Sequence, residues 1–148
     1  MQTVRDADGD RYLLVKRSSD STLVRDPATG AERYLPNEEL RFGTETEPPL
    51  SVAASGVPEA VRRVVSAAHD ERSLGLLVEL ADRGPLSVVE LLDAYDLCES
   101  DLHGLLAEFR AAGLLVEATV HGERGYDATD ATERAVAVLR VGDERESA

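Results

Sequence analysis

Few side chains in this sequence have the type and spacing of a chemical site. Asp6, Asp8 and Asp10 alternate as carboxylates do at the start of an EF-hand calcium loop, but such a loop needs a bidentate glutamate eleven residues after its first ligand. Arg17 stands at that position, so a solvated acidic turn is the better interpretation. Cys98 is the only cysteine and the three histidines are scattered, which excludes an internal disulfide and predicts no metal and no cofactor.

The motifs of common catalytic sites do not occur. The sequence contains no glycine-rich phosphate loop, no Gly-x-Ser-x-Gly elbow and no His-Glu-x-x-His pair, so we expect a protein that is not an enzyme. Its net charge is −13, and Lys16 is the single lysine among sixteen basic residues. The composition resembles that of proteins from extreme halophiles, in which an acidic surface keeps the chain solvated where the Debye length is about 3 Å or less. The acidity therefore describes the solvent more than a partner.

The hydropathy pattern indicates no membrane segment. No apolar run approaches the roughly 18 to 20 residues that span a bilayer, and residues 1–6 lack the apolar core of a signal peptide. We expect a cytoplasmic protein with no membrane partner.

The elements that would carry any function begin with a small β domain at residues 1–42. Short β-rich runs alternate there with turn signals, which predicts an antiparallel meander of three or four strands. Residues 43–56, with the pair Pro48-Pro49, have the composition of an extended linker. A connecting or dimerisation helix is predicted over 57–69, because apolar residues recur there at helical spacing.

Two helices are then predicted from their capping residues. Asp70 can cap a helix that ends at Gly84, and its predicted core stripe consists of Leu74, Leu77, Val78 and Ala81. Ser87 and Glu90 form a capping box of the S-x-x-E type and open the next helix.

The rest of residues 70–141 predicts a third helix, a β-hairpin and a last helix. The third helix runs from about residue 99 to 112, with Gly113 placed as its C′ residue. Strands are predicted over 114–120 and 126–128 around a tip at 121–125, followed by a helix over 131–139 and an acidic tail at 142–148. The predicted fold class is therefore α+β.

This order of elements resembles the winged helix-turn-helix regulators of the arsenical-repressor and multiple-antibiotic-resistance-regulator type. The resemblance covers about half of the chain, in the stretches Gly84-Pro85-Leu86-Ser87-Val88-Val89-Glu90-Leu91-Leu92, Leu97, Leu102, Leu105-Leu106, Phe109-Arg110-Ala111-Ala112-Gly113-Leu114-Leu115 and Thr132-Glu133-Arg134. It implies a small antiparallel β meander followed by a winged helix-turn-helix domain.

The resemblance also implies binding of double-stranded DNA, with the third helix in the major groove and the wing at phosphate or the minor groove. The side chains that could contact DNA are Ser100, His103, Arg110, His121 and Arg124. Residues 70–141 nevertheless hold fifteen acids and six arginines, a net charge of −9. This charge opposes the usual gain from phosphate neutralisation, which nearly vanishes in molar salt.

The alternative is a winged helix used as a protein-docking surface of the transcription machinery. A homodimer is expected through the 57–69 helix or the last helix. Cys98 lies in a stretch that resembles the metalloid-sensing segment of arsenical repressors, but Ser100 replaces the second cysteine, and one thiolate makes a poor metalloid site.

Overall fold

The structure, a computed structural model, describes residues 1–43 and 47–140 of the 148-residue chain. The fold is α+β, with an antiparallel sheet followed by helices and a second sheet. The chain divides into two compact units, one comprising Met1–Pro58 and the other beginning at Glu59. Within the described residues no helix is long and apolar enough to cross a membrane. The predicted acidic tail at 142–148 lies outside the described residues.

The first unit is built on a four-stranded sheet, as predicted. Its strands are β1 (Gln2–Arg5), β2 (Arg11–Arg17), β3 (Ser21–Arg25) and β4 (Glu32–Pro36), paired antiparallel in chain order. The turns contain Gly9 and Gly30 at φ +87° and +77°, a region that glycine enters without steric cost. A short 3-10 helix, Asn37–Glu39, follows β4.

This sheet packs against other parts of its own unit. Val4, Tyr12 and Val24 form a small core with Leu40 on one face. The predicted extended linker at 43–56 is wrong over part of its length, because Pro49–Ala54 forms helix α1 and packs against β1 and β2. The pair of prolines suits a helix start as well as a linker, since the first helical turn needs no backbone donor there.

Burial explains why α1 forms. Val52 of α1 is fully buried, and Glu47, two residues before the helix, accepts hydrogen bonds from Arg5 at 3.4 Å and Arg11 at 2.9 Å. Gly56 follows α1, and a Cβ on it would collide with the Pro27 carbonyl oxygen. Tertiary packing therefore outweighs the linker-like composition.

The second unit contains five helices and three strands in its described part. They are α2 (Glu59–Ala67), α3 (Glu71–Arg83), β5 (Leu86–Ser87), α4 (Val88–Ala94), α5 (Glu99–Ala111), β6 (Leu115–Val120), β7 (Glu123–Ala128) and α6 (Asp130–Arg140). The predicted caps are confirmed: Asp70 accepts from the Ser73 N–H at 2.8 Å, and Ser87 and Glu90 form the reciprocal capping box. Gly113 has the left-handed φ of +76° expected at C′.

The core of this unit joins the helices to the sheet β5-β7-β6. Its largest fully buried side chain is Phe109 of α5. In α3 the predicted core stripe is partly wrong, since Leu76, Leu77 and Leu80 are buried and Leu74 is only half-buried. The apolar residues of α3 are spread around most of its circumference, so the sequence pattern alone does not determine which side of the helix is buried.

Candidate nucleic-acid interface

Helix α5 presents one side to the core and the other to solvent. Leu102, Leu106 and Phe109 are buried, and this phase leaves Ser100 and His103 on the exposed side, three residues apart. Adjacent turns of a helix place such residues on one face. The structure therefore brings these two predicted contacts together.

The partners of these side chains lie within α5 and its cap. The His103 Nε2 atom is 3.6 Å from the Glu99 Oε1 atom, and the Ser100 hydroxyl lies 3.4 Å from the Cys98 sulfur. Cys98 is the N-cap residue, but its side chain makes no capping hydrogen bond. The Cys98 sulfur therefore contacts the Ser100 hydroxyl instead of capping the helix.

The two predicted arginines meet on one carboxylate oxygen. Arg110 of α5 donates to Glu117 Oε1 at 3.0 Å, and Arg124 of β7 donates to the same atom at 2.8 Å. Arg124 also donates to the Tyr126 hydroxyl at 2.9 Å. The hydrogen bond to Glu117 raises the pKa of Arg124 above its usual value, so this cation keeps its charge. The cluster of Arg110, Glu117 and Arg124 has a net charge of +1.

Sequence reasoning missed Glu117 and Tyr126. The sequence predicted a five-residue tip and a strand starting at residue 126, whereas β7 begins at Glu123 and the turn is only His121-Gly122. With the shorter turn, strand alternation places Glu117 directly opposite Tyr126 and next to Arg124. The pairing register of β6 and β7 was the signal that could have revealed the cluster of Arg110, Glu117 and Arg124.

His121 lies near a different carboxylate from the one that the arginines share. It occupies the turn with φ +51°, and Gly122 follows at φ +77°. A turn with two positive φ values matches the right-handed twist of a hairpin, although histidine is uncommon there. The His121 Nε2 atom is 3.9 Å from the Glu90 Oε1 atom of α4, and the side chain is 85% exposed.

Acidic side chains surround the candidate contacts. Glu99, Asp101 and Glu108 are exposed on α5 itself, and Glu108 lies 3.4 Å from the Nε2 atom of His69. Glu99 and Asp101 occupy the first turn, where negative charge is favourable to the helix dipole.

The aspartates near the N-terminus converge in the first unit. One oxygen from each of Asp6, Asp8 and Asp10 lies within 4.8 Å of the others. The Asp6 Oδ1 atom accepts the backbone N–H groups of both Asp8 and Asp10 at 2.9 Å, which makes the convergence a feature of the turn.

Comparison with known proteins identifies the family of the chain. Residues 1–140 match a family of unknown function (DUF7346), and the chain belongs to this family. No curated protein and no solved structure matches the chain.

Proposed function

We propose that the second unit is a winged helix-turn-helix module that binds double-stranded DNA as a transcription regulator, with α5 in the major groove. The order α3, β5, α4, α5, β6, β7 and the sheet order β5-β7-β6 support this proposal. In this arrangement β6 and β7 form the wing, and α5 is the helix that reads base edges.

The observation that carries the proposal is the meeting of Arg110 and Arg124 on Glu117. One guanidinium comes from the proposed recognition helix and the other from the proposed wing, and both contact the shared carboxylate at the point where these elements adjoin. A guanidinium has five N–H donors, so each arginine retains donors for a phosphate oxygen. The cluster is thus a cationic point on an otherwise acidic unit.

Gly104 is further evidence that the exposed side of α5 contacts DNA. Glycine inside a helix costs about 1 kcal/mol relative to alanine. Gly104 is exposed, and a Cβ built on it would meet no heavy atom within 4 Å, so packing within the described chain does not require it. Close approach of a partner to α5 accounts for the missing side chain.

Acidity is compatible with DNA binding under halophilic conditions. In about 1 M salt the Debye length is about 3 Å, so exposed carboxylates repel phosphates only at close range. Counterion release also contributes little in such salt. Direct contacts from Ser100, His103 and the arginine cluster then supply the binding energy.

A homodimer completes the proposal. Val65 of α2 and Val138 and Leu139 of α6 are 60%, 50% and 45% exposed, which leaves apolar side chains uncovered on two packed helices. A second copy covering them would present two α5 helices about one DNA turn apart. Light scattering in about 2 M potassium chloride should give the dimer mass, and a Val65→Asp, Val138→Asp variant should give the monomer mass. A monomeric parent protein would contradict this part.

The DNA proposal is tested by titrating promoter duplexes in potassium chloride between about 0.5 and 2 M. Arg110→Gln or Arg124→Gln should weaken binding to all sequences similarly and reduce the salt slope by about 1. His103→Ala should instead reduce discrimination between duplexes. Arg134→Gln, at an exposed arginine of α6, is the matched control and should bind like the parent. Absence of binding by the parent, or equal binding by all four variants, would contradict the proposal.

Protein docking through α5 is the second candidate function, favoured by the exposed acids Glu99, Asp101 and Glu108. These suit a basic partner surface rather than phosphate. Glu108→Lys distinguishes the two functions, because a new cation on a DNA-facing helix should tighten duplex binding. Unchanged duplex binding by Glu108→Lys would favour docking.

A further inference from the structure

A cleft of about 670 Å³ lies between α3 and the segment that joins α4 to α5. Arg72, Gly75, Leu76 and Glu79 line one wall, at the spacing of a single helical face. Residues 95–97 line the other wall. The volume is within the range of small-molecule sites, which combine apolar walls with a few polar groups.

Hydrogen bonds hold the two walls together at both ends. Arg72 Nη2 donates to the Asp96 carbonyl oxygen at 2.7 Å, and the Tyr95 hydroxyl donates to Glu79 Oε1 at 2.6 Å. Arg83 Nη1 in turn donates to the Tyr95 hydroxyl at 2.7 Å. The cleft between these contacts is therefore formed before any ligand binds.

Gly75 widens the cleft at a cost in stability. It lies inside α3 with a helical backbone, so no left-handed φ requires glycine. A Cβ built on it would meet no heavy atom within 4 Å. Glycine here costs about 1 kcal/mol relative to alanine, and packing within the described chain does not offset this cost. A molecule seated in the cleft would use the space.

Glu79 determines the charge that the cleft prefers. In the part of the chain that the structure describes, this half-buried carboxylate forms a hydrogen bond with the Tyr95 hydroxyl and no ion pair. Burial, followed by the hydrogen bond to Glu79, raises the pKa of Tyr95, so the hydroxyl is a neutral donor. Arg72 lies seven residues away, about 10 Å along the helix axis. Arg83 and Arg140 also act on Glu79 electrostatically, and Arg83 reaches it through the Tyr95 hydroxyl that both side chains contact. Among the described residues, Glu79 is thus a negative charge with cations nearby but none in direct contact.

We propose that this cleft binds an amphipathic organic cation, with its ammonium group on Glu79 and its apolar part over Gly75 and Leu76. Tyr95, in the opposite wall, adds an aromatic ring as a second group suited to a cation. The net negative charge of the unit favours a cation over an anion in the same place.

The probe is tryptamine, whose indole fluorescence is readable because the sequence contains no tryptophan. Uncharged tryptophol and anionic indole-3-acetate have the same ring and serve as comparisons. In about 1 M potassium chloride, tryptamine should bind about tenfold more tightly than either, because a partly buried ion pair is screened less than an exposed one. Equal binding of the three indoles, or tighter binding of indole-3-acetate, would overturn the proposal.

Two variants test the site itself. Glu79→Gln should remove the preference for tryptamine over tryptophol. Gly75→Leu should fill the cleft and abolish binding of tryptamine while raising the melting temperature, because leucine is a better helix former than glycine. Ala137→Leu places the same side chain on the exposed side of α6 and should bind like the parent. Tryptamine binding that survives Gly75→Leu would overturn the proposal, and since no DNA is present, the result is independent of the proposed function.

Discussion

Gly125 allows the small sheet of the second unit to form. It lies in β7, paired with Ser87 of β5 on one side and Ala118 of β6 on the other. A Cβ at this position would lie 2.5 Å from the Leu86 carbonyl oxygen and 2.9 Å from Val120 Cγ2. Both distances are shorter than non-bonded contacts allow, and the nearer obstacle is backbone, which cannot rotate away. The variant Gly125→Ala should therefore separate β5 from β7.

The loss of stability in Gly125→Ala depends on which side chains become exposed when β5 and β7 separate. Overpacking costs about 1 to 3 kcal/mol, and partial exposure of Leu86 and Tyr126, which are 6% and 3% exposed, adds a fraction of the roughly 1.5 to 3 kcal/mol that full burial of such a side chain contributes. We expect the free energy of unfolding to fall by about 2 to 4 kcal/mol. For a unit of this size each kcal/mol corresponds to about 4 to 8 °C, so the melting temperature should fall by at least about 8 °C.

Thermal unfolding followed by far-ultraviolet circular dichroism, in about 2 M potassium chloride, measures this change. Gly75→Ala is the matched control, because the same added methyl group meets open space and should raise the free energy of unfolding by about 0.5 to 1 kcal/mol. The two substitutions should therefore shift the melting temperature in opposite directions. A Gly125→Ala melting temperature equal to or above that of the parent would refute the steric reasoning.

Three further predictions concern stability. Ser87→Ala should lower the free energy of unfolding by about 1 kcal/mol in urea titrations, because the buried N-cap of α4 loses the acceptor for a backbone N–H, and an unchanged urea midpoint would contradict this. Gly56→Ala should unfold the first unit at lower urea concentration, because the new Cβ would overlap the Pro27 carbonyl oxygen; an unchanged midpoint would exclude that clash. The Arg140 guanidinium holds the pKa of Asp82 below its usual value. The pair therefore stabilises the fold at a pH above the unfolded-state pKa of Asp82, and this contribution is lost as the pH falls through the folded-state pKa. Asp82→Asn should flatten this acid-side dependence of the melting temperature, and equal slopes in both proteins would contradict the assignment.

Local sequence signals predicted the helix starts in the second unit. Asp70 and Ser87 each carry the side chain that satisfies a free N–H of the first turn, and both caps form in the structure. Gly113 marks the end of α5 for an equally local reason, its left-handed backbone. Such features depend on residues within four positions of each other, so one sequence suffices to find them.

Features that depend on distant residues were not predictable in the same way. Strand β5 has only two residues and exists because β7 pairs with it, and α1 forms because Val52 is buried and Glu47 meets two arginines of the sheet. The arginine cluster depends on the hairpin register, which a two-residue turn sets. In each case the residue that determines the structure is distant in sequence, or its position depends on a turn whose length the hydropathy pattern does not specify.

Helix α5 departs from the local rules that α3 and α4 follow at their starts. Cys98 occupies its N-cap without a capping hydrogen bond, and Gly104 interrupts its exposed side without a steric reason. These two departures lie in the part of α5 that carries Ser100 and His103. A folded chain retains such costs chiefly where a surface is used, because elsewhere a serine cap and an alanine would stabilise the helix. The double variant Cys98→Ser, Gly104→Ala should therefore have a higher melting temperature than the parent. If α5 approaches DNA as proposed, the added methyl group at residue 104 should also weaken duplex binding. A stabilised variant with undiminished binding would show that the face of α5 around Gly104 does not contact DNA.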